Sequence, residues 1–391
     1  MHASRLNALQ EKMKEQAIDA FLVTSNASLY YYTGSAQAGY LWVPAEGEPV
    51  FYVRRSLRRA QEESACRTEA LGSFSAFGET LRKASPHVFA GPEPVVAADL
   101  DMLPAQLFLR LQTSVSGVRW EDGSRLIREQ RMIKSEEEIR RIREASRIAN
   151  RGLEKVLELL REGMSDLELS ALYEYEVRKL GHGGLIRVHG YNGELVIGLV
   201  ASGEDAAVPT GFDGPAGGRG LSAAFPGGSS RREIRRGDPI LFDAGCCYEG
   251  YLTDQTRTLV IGGLAPHLQK AYDAAERILE AVEERLRPGT ICEDLYELSL
   301  RMAEEAGLKN HFMGYGADQV KFLGHGVGLE IDEFPVLAKG FRYPLQPGMV
   351  IAIEPKFTFP GEGVVGLENT YLITADGFET LTLTGKGLIR M

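Results

Sequence analysis

Cysteine is scarce in this chain. The four present, Cys66, Cys246, Cys247 and Cys292, form no C-x-x-C pair, and two of them are adjacent. That spacing excludes a zinc ribbon and a small disulfide framework. A reducing cytoplasm is the expected compartment. Long apolar runs are missing as well: no stretch approaches the roughly eighteen residues of a membrane span. The polar start from Met1 to Met13 has no signal-peptide core. Positive charge is in deficit, with 44 Lys plus Arg against 54 Asp plus Glu and a net charge of -10. Neither a nucleic-acid partner nor an anionic membrane is expected for such a surface.

What remains is an ordinary globular balance, 44% apolar and 25% charged over 391 residues, enough for two domains. The pattern predicts an α/β two-domain chain, a small α/β amino-terminal domain over residues 1–130 and a larger domain over 131–391. Leu6, Leu9, Met13 and Ala17 mark a first helix, with Ser4 as its cap. Ala20–Thr24 reads as a strand, and Tyr40–Val43 with Val50–Val53 as a hairpin. No catalytic constellation stands out in this part. Near Ile133-Lys134-Ser135 a long helix begins. Ser135 with Glu138 makes a capping box, and Ile139, Ile142, Ala145, Ile148, Ala149, Leu153, Val156 and Leu160 form its apolar stripe.

The larger domain carries an internal echo. Leu160-Arg-Glu-Gly163 returns as Leu286-Arg-Pro-Gly289, and the same offset relates Leu169 to Leu295, Leu172 to Leu298 and Gly181 to Gly307. Ser165 with Glu168, and Thr290 with Glu293, read as paired capping boxes. Two related helix-pair-plus-strand halves sharing a sheet are expected.

Two acidic hairpins hold the chemistry. Ile240–Gly245 and Tyr251–Val260 meet at Tyr248-Glu249-Gly250, and pairing about that turn sets Asp243 opposite Asp254. Met349–Glu354 and Val364–Ile373 fold about Gly361 and set Glu354 opposite Glu368. Carboxylates about 5 Å apart repel by roughly 3 kcal/mol per pair at an effective dielectric near 20. Either such groups titrate or cations sit among them, and two divalent ions would neutralise all four. A nitrogen donor would complete the site. His325, in Gly324-His-Gly-Val-Gly328, and His182, in Gly181-His-Gly-Gly184, are the candidates. An oxygen-rich set with one imidazole suits Mn or Co, with Fe or Zn also admissible.

Asp243, Asp254, His325, Glu354 and Glu368, within Phe242-Asp-Ala-Gly245, Tyr251–Thr258, Gly324–Glu330 and Ile353-Glu-Pro355, resemble the metal ligands of the pita-bread metallopeptidases. That family includes aminopeptidase P, prolidase and methionine aminopeptidase. Ile18–Val23 and Tyr32-Thr-Gly34 resemble the creatinase-type amino-terminal domain of its Xaa-Pro branch, and Ile133-Lys134-Ser135 the junction that follows. The resemblance implies a pita-bread α+β catalytic domain with pseudo-twofold halves, commonly dimeric. It implies a dinuclear metal-dependent hydrolase in which Asp254 and Glu368 bridge both ions, Asp243 holds one, and His325 with Glu354 holds the other. A metal-bridging hydroxide would attack an amide carbonyl, with Glu354 also shuttling the proton and an Xaa-Pro peptide as default substrate.

The departures fall around the ligands. Where the family has helper residues, this sequence has Thr210, Lys321 and Asp332 in place of histidines, Gly366 in place of an arginine, and Lys356 in place of a glycine. Thr210, Asp332 and Lys356 are therefore the substrate-side candidates. Asp332 would repel the carboxylate of a free dipeptide. Lys356 shares a strand face with Glu354 and would pair with Asp332 or replace lost positive charge. Residues 211–228 hold seven glycines and no phosphate-loop signature, and read either as a lid or as a surface insertion. Two alternatives stay open: a metal-dependent enzyme of the same fold acting on a small non-peptide substrate, and a non-catalytic binding protein.

Overall fold

Short β-branched and aromatic runs build the amino-terminal sheet. In the computed structural model, which describes residues 1–391, the chain forms two units, Met1–Arg131 and Met132–Met391. The first holds β1 Ala20–Val23, β2 Gly39–Pro44, β3 Val50–Val53, β4 Arg67–Ala70, β5 Val95–Ala98 and β6 Arg119–Asp122. Their order is β4-β3-β2-β1-β5-β6. β2 and β3 make the expected hairpin, Tyr40 opposite Tyr52. Every residue of β1, β3 and β5 is buried, as in a sheet covered on both faces. The first helix, His2–Glu15, begins two residues before Ser4, whose hydroxyl instead donates to the Met1 carbonyl.

The second unit is two similar halves. Helix Glu136–Leu159 starts at the Ser135–Glu138 capping box and buries its stripe from Ile139 to Val156. Helix Asp166–Lys179 follows with its own capping box. Both pack on β7 Gly198–Ser202, β8 Ile240–Ala244 and β11 Thr256–Val260 through Leu153, Tyr173, Val200 and Phe242. Between β8 and β11 lie the short β9 Cys246–Tyr248 and β10 Tyr251–Thr253. In the second half, helices Pro266–Glu283 and Cys292–Glu305 pack on β12 Phe322–Gly326, β14 Val350–Ile353 and β17 Asn369–Ile373. β13 Glu333–Ala338 and β18 Phe378–Thr380 flank that sheet. β15 Lys356–Phe359 and β16 Gly363–Gly366 form a separate ribbon.

Helices Asp166–Lys179 and Cys292–Glu305 have equal lengths of 14 residues and sit at equivalent points of the repeat. One detail of the repeat differs from expectation. Thr290 does not cap its helix: its hydroxyl donates to the Arg285 carbonyl, and Glu293 instead accepts the Gly340 N–H. No helix is long and apolar enough to cross a membrane.

Candidate metal centre

The turn chemistry sets the first acidic ribbon. Glu249 and Gly250 both have positive φ, 47° and 88°, the twist that suits a two-residue hairpin loop. Tyr248 therefore faces Tyr251, and Asp243 faces Thr256. The expected Asp243–Asp254 pairing is displaced by two residues. Two residues is one strand period, so the slip keeps the same face. The second ribbon has its expected register. Ile353 pairs with Asn369 and Lys356 with Gly366, which leaves Glu354 and Glu368 at matching positions between the two ladders.

The ribbons join where Thr256 and Glu368 exchange backbone hydrogen bonds of 3.4 and 3.0 Å. Thr256 Oγ1 donates to Glu368 Oε2 at 2.7 Å. The buried Arg257 guanidinium donates to the Glu368 carbonyl at 2.7 Å and also to Asn369 Oδ1 and the Gly385 and Thr384 carbonyls. Its role is to hold the backbone of the last candidate ligand.

His325 enters from β12, opposite Ala352 on β14. A Cβ on Gly324 would lie 2.1 Å from the Ala352 carbonyl oxygen, and one on Gly326 2.2 Å from that of Phe334. Only glycine admits such approach, which explains both neighbours of the histidine. Nδ1 lies 3.2 Å from the Gly326 carbonyl oxygen, which accepts, so Nδ1 carries a proton. In the neutral ring Nε2 then presents a lone pair. It faces Glu354 Oε1 at 3.6 Å and Asp254 Oδ2 and Glu368 Oε1 at 4.0 Å each. Glu368 Oε1 is buried and has no hydrogen-bond partner. Asp254, His325 and Glu368 bring their donor atoms within 4.8 Å of one another, and one of those atoms is orphaned, which fits a divalent cation in chemistry and spacing; Glu354 Oε1 stands at the edge of that group, beside the imidazole.

Asp243, Glu354 and Glu368 form a second cluster. Here Lys356 lies at the centre. Its Nζ donates to Glu354 Oε2 at 2.6 Å, Asp243 Oδ2 at 2.8 Å and Glu368 Oε2 at 3.3 Å. The expected pairing of Lys356 with Asp332 is thus replaced by three bonds inside the acid cluster, because β15 points the side chain inward beside Glu354.

The electrostatics express crowding. Burial, then Glu368 and Asp243, push the Asp254 carboxyl well above its ordinary range. Burial pushes Glu354 up to about 7 against the opposing Lys356 charge. Burial alone would lower Lys356, but Asp243, Glu354 and Glu368 outweigh it and keep the ammonium charged. Burial would likewise lower His325, and Asp332, Glu354 and Glu368 hold it above its ordinary value.

The other sequence candidates scatter. Asp332 Oδ1 stands 3.8 Å from His325 Nδ1 with its side chain 44% exposed. His189 Nδ1 lies 3.2 Å from Glu330 Oε2. His182 is elsewhere, accepting the Cys247 N–H on its Nδ1 at 2.9 Å. Thr210 lines a cavity of about 620 Å³ between residues 207–217, which lead into the glycine-rich stretch, and residues between Gly314 and Val320. Thr358 on β15 reaches the same cavity and donates to the Pro215 carbonyl at 2.9 Å. None of the five candidate ligands lines it. Lys321 lines a smaller neighbouring cavity with Asp213 and Phe322.

Sequence reasoning missed one support. Lys134 Nζ and Glu333 Oε2 form a buried pair at 3.1 Å. Glu333 Oε1 also accepts the Leu329 N–H at 2.8 Å and the Glu330 N–H at 3.2 Å, bracing the loop that leaves His325. A lysine at the start of the second unit was the signal. Its partner, 199 residues away, was not legible.

Comparisons with known proteins bear on this geometry. Residues 140–375 match the model of metallopeptidase family M24, and residues 5–133 match the creatinase/prolidase amino-terminal domain. The chain is 28% identical over 388 residues to a protein of Pyrococcus horikoshii named Xaa-Pro dipeptidase, covering 98% of each. The solved prolidase of Pyrococcus horikoshii superposes with a TM-score of 0.83 at 27% identity, over 99% of this chain and 100% of that one. In fold alone, the Xaa-Pro dipeptidase of Bacillus anthracis is similar at a TM-score of 0.84 and 24% identity, over 100% of both chains.

Proposed function

The chain belongs to metallopeptidase family M24, and on that premise we propose that it cleaves Xaa-Pro bonds in peptides, with Asp243, Asp254, His325, Glu354 and Glu368 framing its metal centre. It is a metal-dependent peptidase, and a dinuclear mechanism is typical of its family. The observation that carries the reading is His325 Nε2 converging with the Asp254 and Glu368 carboxylates on one gap, Glu354 Oε1 beside it, while Glu368 Oε1 lacks a partner. Those residues would hold a divalent ion, which would supply Lewis-acid activation of solvent and of the substrate carbonyl. Mn or Co suits this donor set best.

The chain's own groups do the rest. Glu354 presents one oxygen toward His325 and one toward Lys356, a position from which it can take a proton and return it to the leaving amine. Thr256 and Arg257 hold Glu368 in place. Asp332 lies beside His325, and Asp213 lies near it. Two acids there disfavour a free substrate carboxylate. The preferred substrate is accordingly an Xaa-Pro peptide extended beyond proline. The same reading expects a homodimer in a reducing cytoplasm, where all four cysteines stay free.

A second reading, a metal-dependent enzyme acting on a small non-peptide substrate, draws support from Thr210 and Asp332 standing where the resemblance expects histidines. One experiment tests both. The purified protein is loaded with Mn, Co, Fe or Zn and offered Xaa-Pro dipeptides, Xaa-Pro tripeptides and matched Xaa-Ala controls. Cleavage confined to proline peptides supports the first reading. Metal binding with no peptide cleavage favours the second.

A further inference from the structure

The acid cluster has two seats, and they are furnished differently. The seat beside His325 offers an imidazole lone pair, Asp254 Oδ2 and the orphaned Glu368 Oε1, with Glu354 Oε1 at its edge 3.6 Å from the imidazole. The other seat offers Asp243 Oδ2, Glu354 Oε2 and Glu368 Oε2, and each of these accepts a hydrogen bond from Lys356 Nζ. An ammonium has three N–H donors. Three oxygens take all three, so that seat is saturated by a cation the chain itself supplies.

The surroundings are built to hold the lysine. Its side chain is 1% exposed. The residue directly across the ribbon is Gly366. A Cβ at Gly366 would lie 2.7 Å from Lys356 Cα and 2.8 Å from Lys356 Cγ, so any larger residue would collide with the lysine stem. The Lys356 carbonyl is tied to the Met313 N–H at 2.9 Å, fixing the strand from its other edge.

Charge points the same way. Four carboxylates carry four negative charges. Lys356 offsets one, and one divalent ion at the His325 seat offsets two. That leaves a single negative charge, whereas a second divalent ion would leave an excess positive charge and would have to break three charge-assisted hydrogen bonds.

We infer that Lys356 takes the place of one of the two metal ions, so that this protein works with one divalent ion, beside His325, and a fixed ammonium beside Asp243. The inference rests on the proposal that these acids frame a metal centre. It assigns Asp243 to the lysine rather than to a metal.

The test counts ions. The purified full-length protein is saturated with Mn²⁺, freed of excess metal, and measured by elemental analysis against protein concentration. One ion per chain is expected, with the uncoupled hyperfine pattern of a lone Mn²⁺ in its electron paramagnetic resonance spectrum. Lys356→Ala empties the seat and is expected to bind two ions with a spin-coupled spectrum. Two ions in the unmodified protein would overturn the inference and leave the metal-centre proposal standing. No ions in folded protein would sink the metal-centre proposal itself. Where Lys356→Ala does not fold, anomalous diffraction from the Mn²⁺-loaded unmodified protein decides: a single peak beside His325 supports the inference, and a second peak at Asp243 refutes it.

Discussion

Asp99 and Asp254 are buried carboxylates in different units, and they differ in what meets them. Asp99 follows β5 and accepts the Thr24 N–H, the Thr24 hydroxyl and the Ser25 N–H, at 2.7 to 2.9 Å. Burial outweighs those donors and pushes it up to about 6. Asp254 is pushed well above its ordinary range by burial and by the carboxylates of Glu368 and Asp243, with only the Lys356 charge opposing. One acid is satisfied by its own chain and serves structure. The other is left with like charges, an arrangement that makes sense only if a cation is part of the folded state.

The largest test of that difference exchanges charge for shape. Asp254→Asn should abolish metal binding beside His325 and lower kcat on the order of 10³-fold. It should also stabilise the metal-free protein, because a crowded buried charge is gone. Asp99→Asn should do the reverse, leaving kcat unchanged while losing about 1–3 kcal/mol of stability as an amide replaces an acceptor. Urea unfolding with and without chelator, beside steady-state kinetics, reads all four signs. A destabilised metal-free Asp254→Asn would break the comparison.

Glu333 sharpens it, as a buried acid in the catalytic unit that does have protein partners. Lys134→Met removes its partner at 3.1 Å. A loss of about 3 kcal/mol is expected, the usual cost of halving a buried pair. Metal affinity should fall about 10-fold or more, because the loop leaving His325 loses its brace. Calorimetric titration with Mn²⁺ separates the two effects.

His182 gives a pH test away from the candidate ligands. Burial and the neighbouring Arg178 lower its pKa from the ordinary 6.5 to about 4. The unfolded chain therefore takes up the proton first as pH falls. The stabilising contribution is full above about pH 6.5 and is lost as pH drops toward 4. The difference amounts to at most about 3 kcal/mol. His182→Asn keeps an acceptor for the Cys247 N–H without titrating, so its acid-side loss, measured by urea unfolding at pH 7 and 5, should be smaller than that of the unmodified protein.

Most of the candidate site was legible because its chemistry sits on short-range periodicity. The glycine turn at Gly361 fixes the register that matches Glu354 with Glu368, and flanking glycines mark His325. The first ribbon was read two residues out because the loop centres on Glu249-Gly250, and only the positive φ of both residues decides that. Lys356 was placed on the right face but with the wrong partner. Strand alternation tells which way a side chain points, not that Asp243, 113 residues earlier, waits there. Thr290 with Glu293 has the spelling of a capping box, yet the Arg285 carbonyl and Gly340 N–H compete successfully for both side chains.

Asp332 carries the smallest expected effect. Its side chain is 44% exposed, so solvent screens its charge and limits what it contributes. It stands beside His325 without joining the cation gap, which separates it from the acids that hold the centre. Asp332→Asn should leave the metal content unchanged. It should raise kcat/KM for an Xaa-Pro dipeptide, whose free carboxylate it repels, by about 5-fold, close to 1 kcal/mol for one screened charge. An Xaa-Pro tripeptide, with its carboxylate farther out, should respond less. Equal gains on both substrates would mean that Asp332 acts through His325 rather than on the substrate, and that the preference for extended peptides lies elsewhere in the cleft.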